Sequence, residues 1–323
     1  MKRFREEERP RVLILRALKL GDLLVAVPAL RGLRRAFPEH ELVFAAPGWL
    51  DLIVRLTEAV DRHVPTRGLD DPLPLGPEGI ELAVNLHGNG PESRARLEQL
   101  GVPRVLGYRV QGYPGPEWDP SLHERERWTA LLASAGIPAD PEDVQLRVPD
   151  ADETDGPVLP GAIVIHAGGF HGARHWPVDR FGHVARWAAR LGRPVVVTGS
   201  AAERPRAEAI AVAAGLPQHA VVAGQHSLIG LAAQVSSASI VISADTGTAH
   251  LASAYRTPSV VLFGPAEPEV WGPPVSGPHR VLTDASLRRG DVFADDPDPA
   301  LLAVTEGDVI RAATSLMAEA GLL

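Results

Sequence analysis

The chain has 323 residues, 45% of them hydrophobic and 22% charged, with a mean hydropathy near zero and a formal net charge of −8 at pH 7. No apolar run approaches the ~18 residues a helix needs to cross a bilayer, and the acidic balance argues against nucleic acid as a partner, which calls for a basic footprint. With no cysteine, disulfides and thiolate metal sites are excluded, and the length points to about two domains.

The charged N-terminus, MKRFREEERPR, leads straight into an apolar run, so it reads as no signal peptide and a cytoplasmic location is expected. Val12–Leu15 is a short strand. Leu23–Phe37 is a helix that ends at Pro38, its basic residues placed late where the macrodipole favours them. Glu41–Ala45 is a strand, Leu50–Leu56 a helix and His63–Val64 a short strand. Leu82–Leu86 is a strand leading into the loop HGNGPES. Ser93–Leu100 is a helix and Val105–Gly107 a strand end. This alternation implies an α/β fold, a doubly wound parallel sheet with helices on both faces. The Asp-, Pro- and Gly-rich stretch Val148–Pro160 reads as an interdomain linker.

The pattern then restarts. Ala162–His166, Pro194–Thr198, Val221–Val222, Ile240–Ser243 and Ser259–Phe263 are strands. Val178–Leu191, Ala201–Ala214, Ser227–Val235 and the tail Val304–Gly321 are helices. The domains are therefore placed at residues 1–150 and 161–303, with a last helix over 304–323.

Four segments can carry chemistry. In LRALKLGDLLVAVPALRGLRRAFP, Asp22 follows a strand at the edge where ligands of open α/β sheets bind. It is either an N-cap or a carboxylate that takes a proton. In HAGGFHGARHWPVDRF, Gly168 and Gly169 allow close backbone approach to an anion, and Arg174 offers a planar donor fork; a solvated loop is the plain alternative. Trp176 reads as packing. In VTGSAAERPRAE, Glu203 is either a first-turn acid or a ribose contact. In VISADTGTAHLASAYRTPSVVLFGP, Asp245 can cap the helix that follows, leaving the N–H groups of Thr246, Gly247 and Thr248 as an anion site, with His250 one turn on. His123–Glu124 lacks the second histidine of a zinc motif, and Asp295–Asp298 reads as a solvated loop, so no metal site is expected.

Together these segments resemble glycosyltransferase family 9, the heptosyltransferases of bacterial lipopolysaccharide synthesis, over nearly the whole chain. LKLGDLLVAVPALRGLRRAFP is similar to the family's Gly-Asp signature, and NLHGNG to its mid-domain strand and loop. RHWPVDRF and SADTGTAHLASAYRTPSVVLFGP, followed by Pro268 and Trp271–Pro273, are similar to its nucleotide site. The resemblance implies a GT-B fold: two Rossmann-like domains facing across a cleft, acceptor on the first and donor on the second, with the last helix crossing back to the first. It implies an inverting, metal-independent glycosyl transfer from a nucleotide-sugar donor such as ADP-heptose, with no cofactor, to a glycan or glycolipid hydroxyl, and peripheral contact with the inner face of the membrane. Asp22 then matches the catalytic base. Gly168, Gly169, Arg174, Glu203, His226, Asp245, Thr246, Gly247 and His250 match the donor site, and Lys19, Gly21 and Asn89 lie on the acceptor side. The loop 168–173 carries glycines and a histidine where such enzymes often carry hydroxyls, and 110–126 is proline-rich rather than basic. A nucleotide-sugar epimerase of GT-B fold and a non-catalytic nucleotide-binding module are the alternatives.

Overall fold

A computed structural model, which describes residues 9–70 and 72–323, divides the chain into two compact units, one ending at Val144 and the other running Gln145–Leu323. Most of the charged N-terminal stretch lies outside the described residues.

In the first unit, β1 (Arg11–Leu15), β2 (Glu41–Ala46), β3 (Arg62–Pro65), β4 (Ile80–Asn85) and β5 (Val105–Leu106) form a parallel sheet in the order β3-β2-β1-β4-β5. Its helices are α1 (Leu20–Ala36), α2 (Asp51–Leu56), α3 (Pro91–Glu98) and α4 (Glu124–Ala133). Val12–Leu15 are fully buried. Strands covered on both faces lose the in-out alternation and read as continuous apolar runs, which is why β1 is plain in the sequence. Helix α1 starts three residues earlier than its apolar spacing suggests, so Gly21 and Asp22 belong to its first turn and not to a tight turn before it. Helix α4 has no counterpart among the expected elements: its buried face includes Glu124, Arg125 and Arg127, so charge falls where an amphipathic pattern expects apolar residues.

In the second unit, β6 (Ile163–His166), β7 (Val195–Thr198), β8 (Ile240–Ala244), β9 (Ser259–Leu262) and β10 (His279–Leu282) form a parallel sheet in the order β10-β9-β8-β6-β7. Around it lie α5 (Val178–Ala189), α6 (Arg204–Ala214), α7 (Leu228–Ser236), α8 (Gly247–Ala254), α9 (Pro268–Trp271), α10 (Pro299–Leu302) and α11 (Glu306–Glu319). The short strand expected at Val221–Val222 is a single bridge from Val221 to Val197, and the edge strand β10 was not expected. The final helix buries Val309, Ala313, Leu316 and Met317 in the core of this second unit, where the resemblance implied a return to the first. The expected linker is likewise fastened here. Gln234, fully buried, satisfies its amide on the backbone of Leu159, accepting from its N–H at 2.8 Å and donating to its carbonyl at 3.0 Å.

Trp176 confirms its packing role. It is fully buried against Phe181, with ring centroids 4.8 Å apart, and donates its indole N–H to the Val304 carbonyl at 3.0 Å. Trp176→Ala should therefore cost about 3–5 kcal/mol in urea unfolding followed on the second unit. Trp176→Phe should cost less, because it leaves most of the volume filled.

Candidate functional site

The first sheet reverses its strand order between β1 and β4, and the second between β6 and β8. Ligands of doubly wound sheets bind outside the carboxyl ends of the strands at such a reversal. The residues singled out above, His226 excepted, gather at these two places.

In the first unit, β1 runs into Arg16, which is 2% exposed. Its Nε donates to the backbone carbonyl of Asp22 at 2.5 Å, and a second nitrogen donates to the Leu86 carbonyl just beyond β4. Its remaining nitrogen lies 3.4 Å from both Asp22 Oδ1 and Glu124 Oε2. Burial pushes the Arg16 guanidinium down to about 10, with Asp22 opposing. Asp22 sits in the first turn of α1, where the helix dipole favours an acid, and its Oδ2 accepts the Lys19 N–H at 3.2 Å. Its side chain keeps 24% exposure. Lys19, not Asp22, takes the N-cap position; Asp22 stands three residues on, reaches back to the Lys19 N–H and is a solvent-facing carboxylate. Lys19 is exposed at the N-cap, Gly21 lies within the helix, and Asn89 is exposed before α3.

His87, absent from the expected site, stands beside them. Its Nδ1 accepts the Ala17 N–H at 3.1 Å. Burial and the Arg16 charge push its imidazole down to about 4 against the pull of Asp22, so it is neutral with the proton on Nε2. The NLHGNG loop carries the signal for it, since a histidine directly after a buried strand reaches the carboxyl edge of the sheet.

In the second unit, the loop after β6 holds Gly168 and Gly169. A Cβ on Gly168 would lie 2.4 Å from His166 Nε2 and 2.8 Å from Glu203 Oε1, so only glycine passes between them. The Glu203 carboxylate accepts the N–H of Gly169 at 2.8 Å and of Ser200 at 2.7 Å. Burial would raise its pKa, but those two bonds and His166 outweigh burial and hold it below the usual carboxylate range. Glu203 therefore ties two loops together. His166 is buried, its Nδ1 lies 3.0 Å from Thr198 Oγ1, and burial pushes it down to about 4, with Glu203 opposing.

Arg174 ends a short turn and brings Nε to 3.3 Å from Asp245 Oδ2; His250 Nε2 lies 3.9 Å from Oδ1 of the same acid. Asp245 does not cap α8, as the sequence suggested. The cap position is Thr246, whose hydroxyl faces Ser243 Oγ at 3.0 Å, while Asp245 is turned toward Arg174 and His250. Thr246 and Gly247 leave the first N–H groups of α8 at the sheet edge. His226 is the one donor-side residue drawn elsewhere: its Nε2 meets the Pro157 carbonyl at 2.9 Å, next to a Ser227–Asp155 bond of 2.8 Å, and together they pin the linker.

In the acidic stretch Asp295–Asp298 the side chains of Asp295 and Asp296 are exposed, as a solvated loop requires, but the backbone is fastened to the arginine loop. The Ala173 N–H donates to the Ala294 carbonyl at 2.9 Å, and the Asp298 N–H to the Ala173 carbonyl at 3.1 Å. Asp298 is buried and accepts the N–H groups of Arg289 and Ala300. Backbone pairing, invisible to a reading of side-chain polarity, draws this segment onto the arginine loop. Among the described residues no group of three or more His, Cys, Asp or Glu is placed to hold a metal ion, and no helix is long and apolar enough to cross a membrane.

A family model for glycosyltransferase family 9 (heptosyltransferase) matches residues 117–285, just over half of the chain. Lipopolysaccharide heptosyltransferase 1 of Pseudomonas aeruginosa is 27% identical over 297 residues, covering 81% of each chain. Lipopolysaccharide heptosyltransferase 2 of Escherichia coli is 22% identical over 357 residues, covering 95% of this chain and 98% of that protein. Among solved structures, the ADP-heptose lipopolysaccharide heptosyltransferase II of E. coli matches with a TM-score of 0.77 at 19% identity, over 96% of this chain and 99% of the other. A family 9 glycosyltransferase from Veillonella parvula matches with a TM-score of 0.76 at 20% identity, over 98% and 99%. The fold of this chain is accordingly GT-B, built of two Rossmann-like units.

The buried, neutral His166 carries a pH signature. Its pKa of about 4 in the fold lies below the ordinary 6.5, so between these values the unfolded chain binds more protons. The stability it contributes is complete above pH 6.5 and is lost as pH falls toward 4. The unfolding free energy should fall across that window by up to about 1.4 kcal/mol per pH unit from this residue, and His166→Asn should flatten the decline. An unchanged slope in the variant would show that the ring is not held neutral.

Proposed function

Because this chain belongs to glycosyltransferase family 9, and is therefore a glycosyltransferase, we propose that it moves a heptose from ADP-heptose to a hydroxyl of a lipopolysaccharide-type acceptor. Asp22 is the base, and Arg174 with the start of α8 holds the donor. The observation that carries this reading is that the two ion pairs are mounted in opposite senses. In the first unit a carboxylate, Asp22, with 24% side-chain exposure, is presented over a buried cation, Arg16, with 1%. In the second a cation, Arg174, with 26%, is presented over a buried acid, Asp245, with 8%. One site offers solvent a proton acceptor and the other an anion holder.

Those are the two needs of the reaction. A sugar hydroxyl has a pKa far above neutral, so a carboxylate takes its proton as the oxygen attacks C1. The new C1–O bond forms as the bond to the donor's phosphate oxygen breaks, and ADP departs with the electron pair. The charge that develops on the diphosphate meets the Arg174 guanidinium and the helix N–H groups, donors already oriented by the fold. Attack opposite the leaving group inverts the anomeric centre. Asp245, with His250 beside it, supports Arg174, and Glu203 takes the ribose diol of the donor. We propose that the reaction needs no metal ion and takes place at the cytoplasmic side of the membrane, with the enzyme in peripheral contact.

Asp22→Asn should lower transfer by at least about hundredfold while ADP affinity stays within a few-fold. Arg174→Ala should weaken ADP binding by roughly tenfold to hundredfold. In thermal-shift titrations, ADP at 100 times its Kd should add about 2.7 kcal/mol of stability, with UDP and GDP adding less at equal concentration. Wild-type turnover in Asp22→Asn would remove the base assignment, a preference for UDP would remove the donor, and conversion of the donor without any acceptor would favour an epimerase.

A further inference from the structure

Arg16 is more deeply buried than any role in packing asks of it. Its side chain is 1% exposed, and its Cζ lies over the Trp128 ring, 4.7 Å from the centroid. Beneath it, Glu124 Oε2 also accepts the Trp128 indole N–H at 2.9 Å, and Glu124 Oε1 pairs with the buried Arg127. Arg127 in turn stacks over Trp118 at 4.2 Å and donates to the carbonyls of Asp119, Pro120 and Leu122. Two cations and two carboxylates thus balance in a column that rises from α4 to Asp22. A buried ion network of this kind is seldom the most stable filling for its volume, since well-packed apolar side chains often serve as well or better. What apolar residues cannot do is hold a charge at a fixed point beneath a carboxylate.

We propose that Arg16 is a positioning residue for the transfer reaction: its guanidinium, balanced from below by Glu124, fixes the Asp22 carboxylate at the mouth of the first sheet. The inference rests on the reading of Asp22 as the base. Three of the Arg16 bonds make the geometry. One grips the Asp22 main chain, one grips Leu86 beyond β4, and one faces Asp22 Oδ1, so the acid is registered against both strands that flank the strand-order reversal. Lys19 secures the other carboxylate oxygen through its N–H. A planar fork with several fixed donors can do this in one side chain, and a lysine ammonium cannot. The charged and titratable groups facing Asp22 from neighbouring elements are Arg16 and Lys19 ahead of α1 and His87 after β4, with Glu124 and Arg127 of α4 behind Arg16.

The test compares turnover with donor binding. Arg16→Met alone takes from the buried Glu124 one of its two arginines, so the informative protein is Arg16→Met combined with Glu124→Gln, which removes one charge of each sign, keeps an acceptor for Trp128 and leaves Arg127 its carbonyl partners. This double variant should keep its ADP affinity and donor KM within about threefold while kcat falls roughly hundredfold, the scale of a misplaced reacting group. In Arg16→Ala, millimolar guanidinium should restore kcat, and urea, similar in shape but neutral, should not. Wild-type kcat in the double variant, or equal rescue by urea and guanidinium, would overturn the proposal in favour of a packing role. Asp22→Asn, assayed alongside, separates this inference from its premise. An inactive Asp22→Asn with a fully active double variant removes the role of Arg16 alone, and an active Asp22→Asn removes the base reading and this inference with it.

Discussion

Where the order of a parallel sheet reverses, the connections leaving two neighbouring strands turn to opposite faces, and the carboxyl edge between them stays open. That constraint organises both units. In the first it lies between β1 and β4, so Arg16, Asp22 and His87 meet although the second strand starts more than sixty residues after the first. In the second it lies between β6 and β8, so the glycine loop and the start of α8 are neighbours. Parallel pairing is what makes these places polar. All strands end on the same edge, and the loops and helix N-termini that follow carry unpaired N–H groups and the side chains that serve them.

The two edges use one device in two senses. A partly exposed charge is held in place by a buried charge of opposite sign, and the buried partner is itself supported. Glu124 lies beneath Arg16, and His250 lies beside Asp245. The low dielectric around the buried member strengthens the coupling and resists its loss to solvent. A surface pair of the same composition would be screened by salt and free to reorient. The scaffold thereby sets the sign of the potential each unit shows to a ligand without any change to the strand framework beneath.

The sequence made part of this legible. Fully covered strands such as β1 and β8 are unbroken apolar runs, and the loops that leave them stand out as glycine or acid directly after such a run. Asp22, Arg174, Glu203 and Asp245 stand out that way. Helix α4 was missed because its buried positions are charged: Glu124 and Arg127 face inward to serve Arg16, and a pattern built on apolar spacing is blind to that. Arg16 was passed over for the same reason, since an arginine at the end of a strand reads as solvated until its partners from three other elements are in view. His226 reads as a donor residue by its place in the chain, yet its ring bonds to a carbonyl of the linker, a contact 69 positions away that no local pattern encodes.

The backbone pairing of Ala173 with Ala294 and Asp298 joins stretches about 120 residues apart, and it is tight: a Cβ on Gly172 would fall 1.5 Å from the Asp295 carbonyl oxygen. The arginine loop is therefore a composite of two separate pieces of chain, and neither piece has its shape alone. Inserting or deleting a residue between Asp291 and Asp298 would be felt at Arg174, though nothing in that stretch need touch a substrate. Exchanging the glycine loop between relatives without also exchanging its distant clasp would transplant the letters of the motif and leave its geometry behind.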